Sequence, residues 1–134
     1  MYELLVLDVG GVCVDRAGRS DPAATELVDA ARERGIVVAV LSNELDEASA
    51  DALPPVDHVV ACNTGIQKPD RRAFQRVLLL TGTDAAAALV VDDSADNVRG
   101  AEAAGAAALH FDPDDRSASW AAVRAALGLA GHQA

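Results

Sequence analysis

Short, mostly apolar runs alternate along the chain with segments whose apolar residues recur at helical spacing. The first run, Leu4–Leu7, leads directly into Asp8 and then into the glycine pair Gly10 and Gly11. Apolar runs of this length are typical of strands buried on both faces of a parallel sheet. Further runs of the same kind cover residues 36–41, 58–61, 88–91 and 106–111.

The segments between these runs predict helices that each present one apolar face. The first helix begins at Pro22, with Ser20 or Asp21 as its cap, and Gly35 ends it. A short acidic helix over about residues 44–53 follows, and Pro54 stops it. The remaining helices carry Phe74, Val77, Leu78 and Leu80, then residues 95–104, and finally Trp120, Val123 and Leu127.

Strands that alternate with helices predict a three-layer, Rossmann-like α/β fold with a mostly parallel five-stranded sheet and right-handed crossovers. The chain has 134 residues, of which 51% are hydrophobic, so we expect one domain over residues 1–134 with its own core. Residues 13–21 form a polar, flap-like segment, and residues 129–134 form a tail.

Charge and cysteine content narrow the class of partner. The formal net charge of −10 disfavours binding to nucleic acid or to an anionic membrane, which would repel the protein. No apolar run approaches transmembrane length, and the first residues lack the basic start of a signal peptide. Cys13 and Cys62 have no metal-binding spacing, so we interpret them as free thiols of a cytoplasmic protein.

Polar residues that could take part in catalysis or ligand binding follow the predicted strands or open a helix. They are Asp8, Ser42, Asn43, Lys68, Asp92 and Asp93. Because parallel strands end at one edge of a sheet, these groups could meet in a single crevice. Three carboxylates beside one lysine suit a hard divalent cation such as Mg²⁺, which also takes phosphate oxygens. Asp8 could then act as a nucleophile while Ser42 and Lys68 hold the oxygens of a phosphoryl group.

Each residue also has a purely structural interpretation when it is taken alone. Ser42 could be a helix cap, Asp93 or Ser94 could cap the next helix, and Lys68 before Pro69 could be a solvated residue at the start of a helix. To replace the functional interpretation, all of these structural interpretations would have to be correct together, at residues that happen to follow this order along the chain.

The order Asp…Ser-Asn…Lys-Pro…Asp-Asp-x-x-x-Asn resembles the haloacid dehalogenase superfamily of phosphatases and related hydrolases, over almost the whole chain. A bacterial receiver domain also carries aspartates and a lysine on such a sheet, but there the order of the residues is different. The resemblance implies a hydrolase that forms an aspartyl-phosphate.

The resemblance also assigns a role to each matching residue. Asp8 would be the nucleophile, and Lys68 would neutralise both the nucleophile and the phosphate. The residues that bind the phosphorylated substrate would be Ser42, its neighbour Asn43, Lys68 and Gly11. Asn97 would orient the site. The metal ligands would be Asp8, the Gly10 carbonyl, Asp92 and Asp93.

Gly10 departs from the family pattern, because the family usually has a second aspartate at this position. That residue protonates the leaving oxygen and then activates water, so we expect a reduced rate and a preference for good leaving groups. Asp15 is a candidate substitute acid, although a solvated loop aspartate is the simpler interpretation.

The intervals between the motifs leave no room for the cap domain that most relatives carry, so we expect an open site that the 13–21 segment could partly cover. We predict a Mg²⁺-dependent phosphomonoesterase that acts on a phosphorylated small molecule or macromolecule. One alternative is a catalytically impaired relative that binds a phosphorylated ligand or a partner protein, and a weaker one is a dehalogenase. The open site is compatible with a homodimer.

Overall fold

The five predicted strands form one parallel sheet in the computed structural model, which describes residues 1–63 and 65–129. The strands are β1 (Leu4–Leu7), β2 (Val37–Ser42), β3 (His58–Ala61), β4 (Ala88–Asp92) and β5 (Ala107–His110). Their order across the sheet is β3-β2-β1-β4-β5, and every neighbouring pair is parallel. The predicted α/β fold is therefore confirmed.

The central strand determines where the polar residues lie. β1 pairs with β2 on one side and with β4 on the other, so that Leu7 lies between Val40 and Val91. The backbone N–H of Asp8 donates to the Val91 carbonyl at 3.0 Å, which continues the pairing by one residue. Asp8 therefore leaves the sheet at the centre of its carboxyl edge, where open α/β sheets bind ligands.

Helices cover both faces of this sheet. They are α1 (Pro22–Glu33), α2 (Glu47–Asp51), α3 (Arg71–Thr81), α4 (Ala95–Ala103) and α5 (Arg116–Leu127), with a 3₁₀ turn at Ala85–Ala87. Aspartate or serine side chains cap every α-helix: Asp21, Asp46, Asp70, Ser94 and Asp115 accept a backbone N–H of the first turn. Such caps satisfy N–H groups that have no partner inside the helix.

Two apolar clusters fill the space between the sheet and the helices. Leu5 and Leu7 pack with α1 and α5, whereas Leu4 and Val6 face α3 and α4. This alternation follows from the two-residue period of a strand. As predicted, α1 buries Ala24, Leu27, Val28 and Ala31, and α5 buries Trp120, Val123 and Leu127. Both faces of β1 are buried, which explains why its sequence is wholly apolar.

Several details differ from the sequence prediction. The acidic helix is shorter than predicted, because Asp46 caps α2 and the helix ends at Asp51. Leu80 does not lie on the buried face of α3: its exposed fraction is 58%, since that face is formed by Ala73, Phe74 and Val77. No helix in the described part of the chain is long and apolar enough to cross a membrane. Most of the predicted tail lies outside the described residues.

A close backbone contact joins α4 to the loop before α3. A Cβ atom at Gly100 would lie 2.1 Å from the Pro69 carbonyl oxygen and 3.1 Å from the Phe74 ring. Only glycine fits this position without displacing the loop that carries Lys68.

The first prediction concerns this contact. Glycine-to-alanine changes inside helices normally favour the helix. We expect Gly100→Ala instead to lower the free energy of unfolding by about 1–3 kcal/mol, as overpacking does. Urea denaturation measures the change, and Glu102→Ala, an exposed site on the same helix, is the matched control. A Gly100→Ala protein as stable as the wild type would contradict the packing argument.

Candidate active site

The Lys68 ammonium group lies at the centre of the site. Its Nζ donates to Asp8 Oδ1 at 2.8 Å, to Asp92 Oδ2 at 2.9 Å and to the Leu41 carbonyl at 2.9 Å. Lys68 is only 6% exposed, and all three of its protons are used. One lysine therefore connects the ends of β1, β2 and β4.

Asn43 holds the backbone of Lys68. Its Oδ1 accepts the Lys68 N–H at 2.8 Å, and its Nδ2 donates to the Lys68 carbonyl at 3.1 Å. The side chain of a residue just after β2 thus pairs with both peptide groups of Lys68, as a neighbouring strand would. Asn43 is therefore placed to fix the lysine, and its amide is committed to that contact.

Asp92 is surrounded by donors. Its Oδ1 accepts the Ser94 N–H at 3.0 Å, its Oδ2 accepts Lys68 Nζ, and Asn97 Nδ2 lies 3.2 Å from both oxygens. The residue is 1% exposed, so these bonds compensate for the loss of water around its charge. The structure places Asn97 where it can orient this carboxylate.

Three carboxylates converge beside the lysine. Asp8, Asp92 and Asp93 can each offer one oxygen, and these atoms all lie within 4.8 Å of one another. Oxygen donors of this kind fit a hard cation such as Mg²⁺. Because Asp92 already accepts bonds on both oxygens, Asp8 and Asp93 have the freer lone pairs.

Gly11 and Gly10 differ in their surroundings. Gly11 has a φ of +82°, and a Cβ atom there would lie 2.3 Å from Asp93 Oδ2. Gly11 therefore allows Asp93 to approach the loop that follows the nucleophile candidate. Gly10 is exposed, and a Cβ at this position would meet no atom within 4 Å.

The electrostatics of the site follow from burial and from these charges. Burial raises the pKa of Asp8 to about 7 against the lowering effect of Lys68, and Asp92 and Asp93 add to the rise. Burial alone would lower the pKa of Lys68, but the charges of Asp8 and Asp92 hold that pKa above its usual value. The excess of carboxylates is the feature that an added cation would relieve.

Ser42 and Asp15 make local contacts. The Ser42 hydroxyl donates to the Glu44 carbonyl at the end of β2, on the same edge as Asp8. The Asp15 carboxylate accepts the N–H groups of Ala17 and Arg19, both at 2.9 Å. Asp15 therefore stabilises the turn of the 13–21 segment, where Val14 forms single bridges with Gly10 and Ser20.

Two residues near the site make polar contacts that the sequence does not indicate. Arg116, at the start of α5, donates to the carbonyls of Gly11 and Val12. His110 Nε2 lies 2.9 Å from the Asp93 carbonyl. Arg116 contacts a turn that lies more than one hundred positions away in the chain, so no local pattern indicates the contact.

Comparison with known proteins identifies the family to which the chain is similar. A family model described as a haloacid dehalogenase-like hydrolase matches residues 3–105, a range that contains every site residue from Asp8 to Asn97. Phosphatase MT3486 of Mycobacterium tuberculosis is 37% identical over 92 residues, which are 63% of this chain and 42% of that protein. Acyl-CoA dehydrogenase family member 10 of Mus musculus is 31% identical over 90 residues, 63% of this chain and 8% of that protein.

The chain thus spans less than half the length of these curated relatives. Among solved structures, an uncharacterized protein from Corynebacterium glutamicum has a TM-score of 0.79 and 26% identity. The alignment covers 99% of this chain and 100% of that one.

The second prediction tests the two hydrogen bonds between the Asn43 amide and the Lys68 backbone. We expect Asn43→Ala to lower the free energy of unfolding by about 1–3 kcal/mol, because the Lys68 N–H loses its buried partner. Urea denaturation measures the loss, and the exposed Gln75→Ala is the control. Equal stability of the two variants would show that water replaces the Asn43 amide.

Proposed function

Because the chain belongs to the haloacid dehalogenase-like hydrolases, we propose that it is a Mg²⁺-dependent phosphomonoesterase that uses Asp8 as its nucleophile. The observation that carries the proposal is the contact of one buried lysine with Asp8 and Asp92, beside Asp93. The phosphatase among the relatives supports the same reaction class.

The proposed reaction has two steps. A carboxylate oxygen of Asp8 attacks phosphorus, the bond from phosphorus to the leaving oxygen breaks, and an aspartyl-phosphate forms. Water then attacks that phosphorus, its proton passes to solvent, and the bond from phosphorus to the Asp8 oxygen breaks, which releases inorganic phosphate and restores the Asp8 carboxylate. Lys68 and Ser42 would stabilise the negative charge that develops on the phosphoryl oxygens.

Asp8, Asp93 and the Gly10 carbonyl would hold the metal ion. Asp92 would bind it directly or through water. The ion would supply positive charge that keeps Asp8 ionised next to a phosphate. Asn97, Asn43 and Ser94 would keep the carboxylates and the lysine in place, since each donates to or accepts from one of these groups.

We propose an open site without a cap domain, because the connection after β1 holds only the 13–21 segment and α1, and the connection after β2 holds only the small helix α2. Such a site would admit a phosphorylated small molecule or a phosphate on a macromolecule, with the 13–21 segment as a partial cover. A homodimer would be compatible with it. The buried free thiols Cys13 and Cys62 support a cytoplasmic setting.

Gly10 supports one alternative. Without a carboxyl group at this position, the protein would bind a phosphorylated ligand or partner and turn it over little or not at all. Phosphate release in the following experiment distinguishes the two functions.

The third prediction tests the nucleophile. We expect Asp8→Asn to reduce phosphate release from p-nitrophenyl phosphate and acetyl phosphate by on the order of 10⁴-fold or more. The assay is run with Mg²⁺ and with a chelator, and Asp29→Asn on the exposed face of α1 is the control. Activity that survives Asp8→Asn would overturn the proposal, and a folded, Mg²⁺-binding wild type without turnover would favour the binding function.

The fourth prediction concerns the leaving group. Wild-type protein should hydrolyse acyl and aryl phosphates much faster than alkyl phosphates, because alkoxide leaving groups need a proton donor. Gly10 has open space around its Cβ position and no positive φ, so an aspartate fits there. We expect Gly10→Asp to raise kcat/KM for alkyl phosphates by about 10²–10⁴-fold and to change the activated esters little.

Gly10→Asn is the matched control, since it has the same shape as Gly10→Asp but no proton to transfer. Equal effects of the two substitutions would show that shape, not acid catalysis, is responsible. Equal wild-type rates on alkyl and aryl phosphates would contradict the premise that the site lacks an acid.

A further inference from the structure

The Arg116 guanidinium joins three separate parts of the chain. Its Nη1 donates to the Gly11 carbonyl at 2.8 Å, and its Nη2 donates to the Val12 carbonyl. Its Nε and Nη2 donate to Asp21 Oδ2 at 2.9 and 2.7 Å. Arg116 thus connects the start of α5, the turn after Asp8 and the cap of α1.

The surroundings of Arg116 fix its direction. The guanidinium carbon lies 5.0 Å from the centre of the Phe111 ring, and that ring packs edge-on against Trp120 at 4.8 Å. Trp120 Nε1 donates to Asp21 Oδ2 at 3.0 Å. The Arg116 side chain is only 20% exposed. Its planar guanidinium group is held by the Phe111 ring, the Asp21 carboxylate and two backbone carbonyls.

Asp21 completes this cluster as an anion. Burial alone would raise the pKa of Asp21, but hydrogen bonds from Trp120 and Arg116 outweigh it and keep that pKa below its usual value. Asp21 also accepts the Ala23 N–H at 2.9 Å, which fixes the carboxylate at the start of α1. Arg116 is therefore anchored by a fixed carboxylate as well as by the carbonyls of the turn.

The turn after Asp8 needs such a restraint. Gly10 and Gly11 have no side chains, and glycine adopts more backbone conformations than any other residue. The turn is closed by bonds from the Val12 and Val14 N–H groups to the Val9 carbonyl, at 3.2 and 3.1 Å. These bonds do not reach the Gly11 carbonyl, and Arg116 does.

We propose that Arg116 is a positioning residue that fixes the Gly10–Gly11 backbone against Asp93, and through it the cation-binding side of the site. Gly11 lies so close to Asp93 that a single Cβ atom would collide with the carboxylate, so a small rotation of this turn changes the space around Asp93. The inference rests on the proposed Mg²⁺-dependent function, but its test measures cation binding directly.

The fifth prediction is that Arg116→Lys weakens Mg²⁺ binding by about 10–100-fold, as the loss of groups that orient metal ligands typically does. Lysine keeps the charge but has one nitrogen with three protons, so it cannot reproduce the four hydrogen bonds that Nε, Nη1 and Nη2 of Arg116 make from separate positions. Isothermal titration calorimetry with Mg²⁺ alone gives the Kd, at a temperature where circular dichroism shows each variant folded. In the assay, the Mg²⁺ concentration needed for half-maximal rate should rise in parallel.

Two matched variants separate positioning from general stability. Trp120→Phe removes a donor to Asp21 but leaves both carbonyl contacts of Arg116, so it should lower the melting temperature without changing the Kd for Mg²⁺. Arg99→Lys changes an arginine in an exposed ion pair on α4 and should change neither. A Kd shift in Trp120→Phe equal to that in Arg116→Lys would assign the effect to the cluster as a whole and overturn the proposal.

Asp21→Asn decides the question if Arg116→Lys does not fold. Asparagine is also a good helix cap, but it removes the charge that anchors Arg116. We expect a smaller Kd increase in the same direction, and an unchanged Kd would overturn the proposal. Wild-type protein that binds Mg²⁺ without releasing phosphate would refute the proposed activity alone, whereas one that binds no Mg²⁺ would refute both.

Discussion

The buried Lys68 ammonium is the interaction on which the rest of the site depends. A lone ammonium with so little contact with water would be strongly unfavourable, and its three bonds to Asp8, Asp92 and Leu41 compensate for that cost. Since these partners end three adjacent strands, the lysine also fixes the carboxyl edge of the sheet. Its backbone must therefore be held firmly, which is the role of Asn43 on one side and of the Gly100 contact on the other.

One ammonium does not balance three carboxylates. Asp92 is compensated by its own donors, so the unbalanced charge falls on Asp8 and Asp93, at the open side of the cluster. Burial is the largest cause of the rise in the pKa of Asp8 to about 7; Lys68 opposes the rise, and the neighbouring carboxylates of Asp92 and Asp93 add to it. Under the proposed function, a divalent cation bound between Asp8 and Asp93 would offset their excess negative charge and would allow a phosphate to bind beside them.

The fold and the convergence of the site could be predicted from the sequence because both depend on local patterns. Apolar runs predict the strands, and residues just after those strands must lie at one edge. The direction of individual hydrogen bonds could not be predicted in the same way. Substrate binding by Ser42 and Asn43 stays a prediction. Only the structure shows that the Asn43 amide is bonded to the Lys68 backbone and that the Ser42 hydroxyl donates to the Glu44 carbonyl. Arg116 reaches the turn after Asp8 only because α5 packs beside α1, and no local sequence pattern indicates such a tertiary contact.

The adjacent glycines after Asp8 show how sequence and structure complement each other. In the sequence, Gly10 and Gly11 look equivalent. In the structure, Gly11 is required by a positive φ and by the nearness of Asp93, whereas a side chain at Gly10 would extend into open space. Neither backbone conformation nor packing therefore accounts for the missing carboxylate at position 10. Under the proposed function, its absence would restrict the site to substrates with good leaving groups, or to binding without rapid turnover.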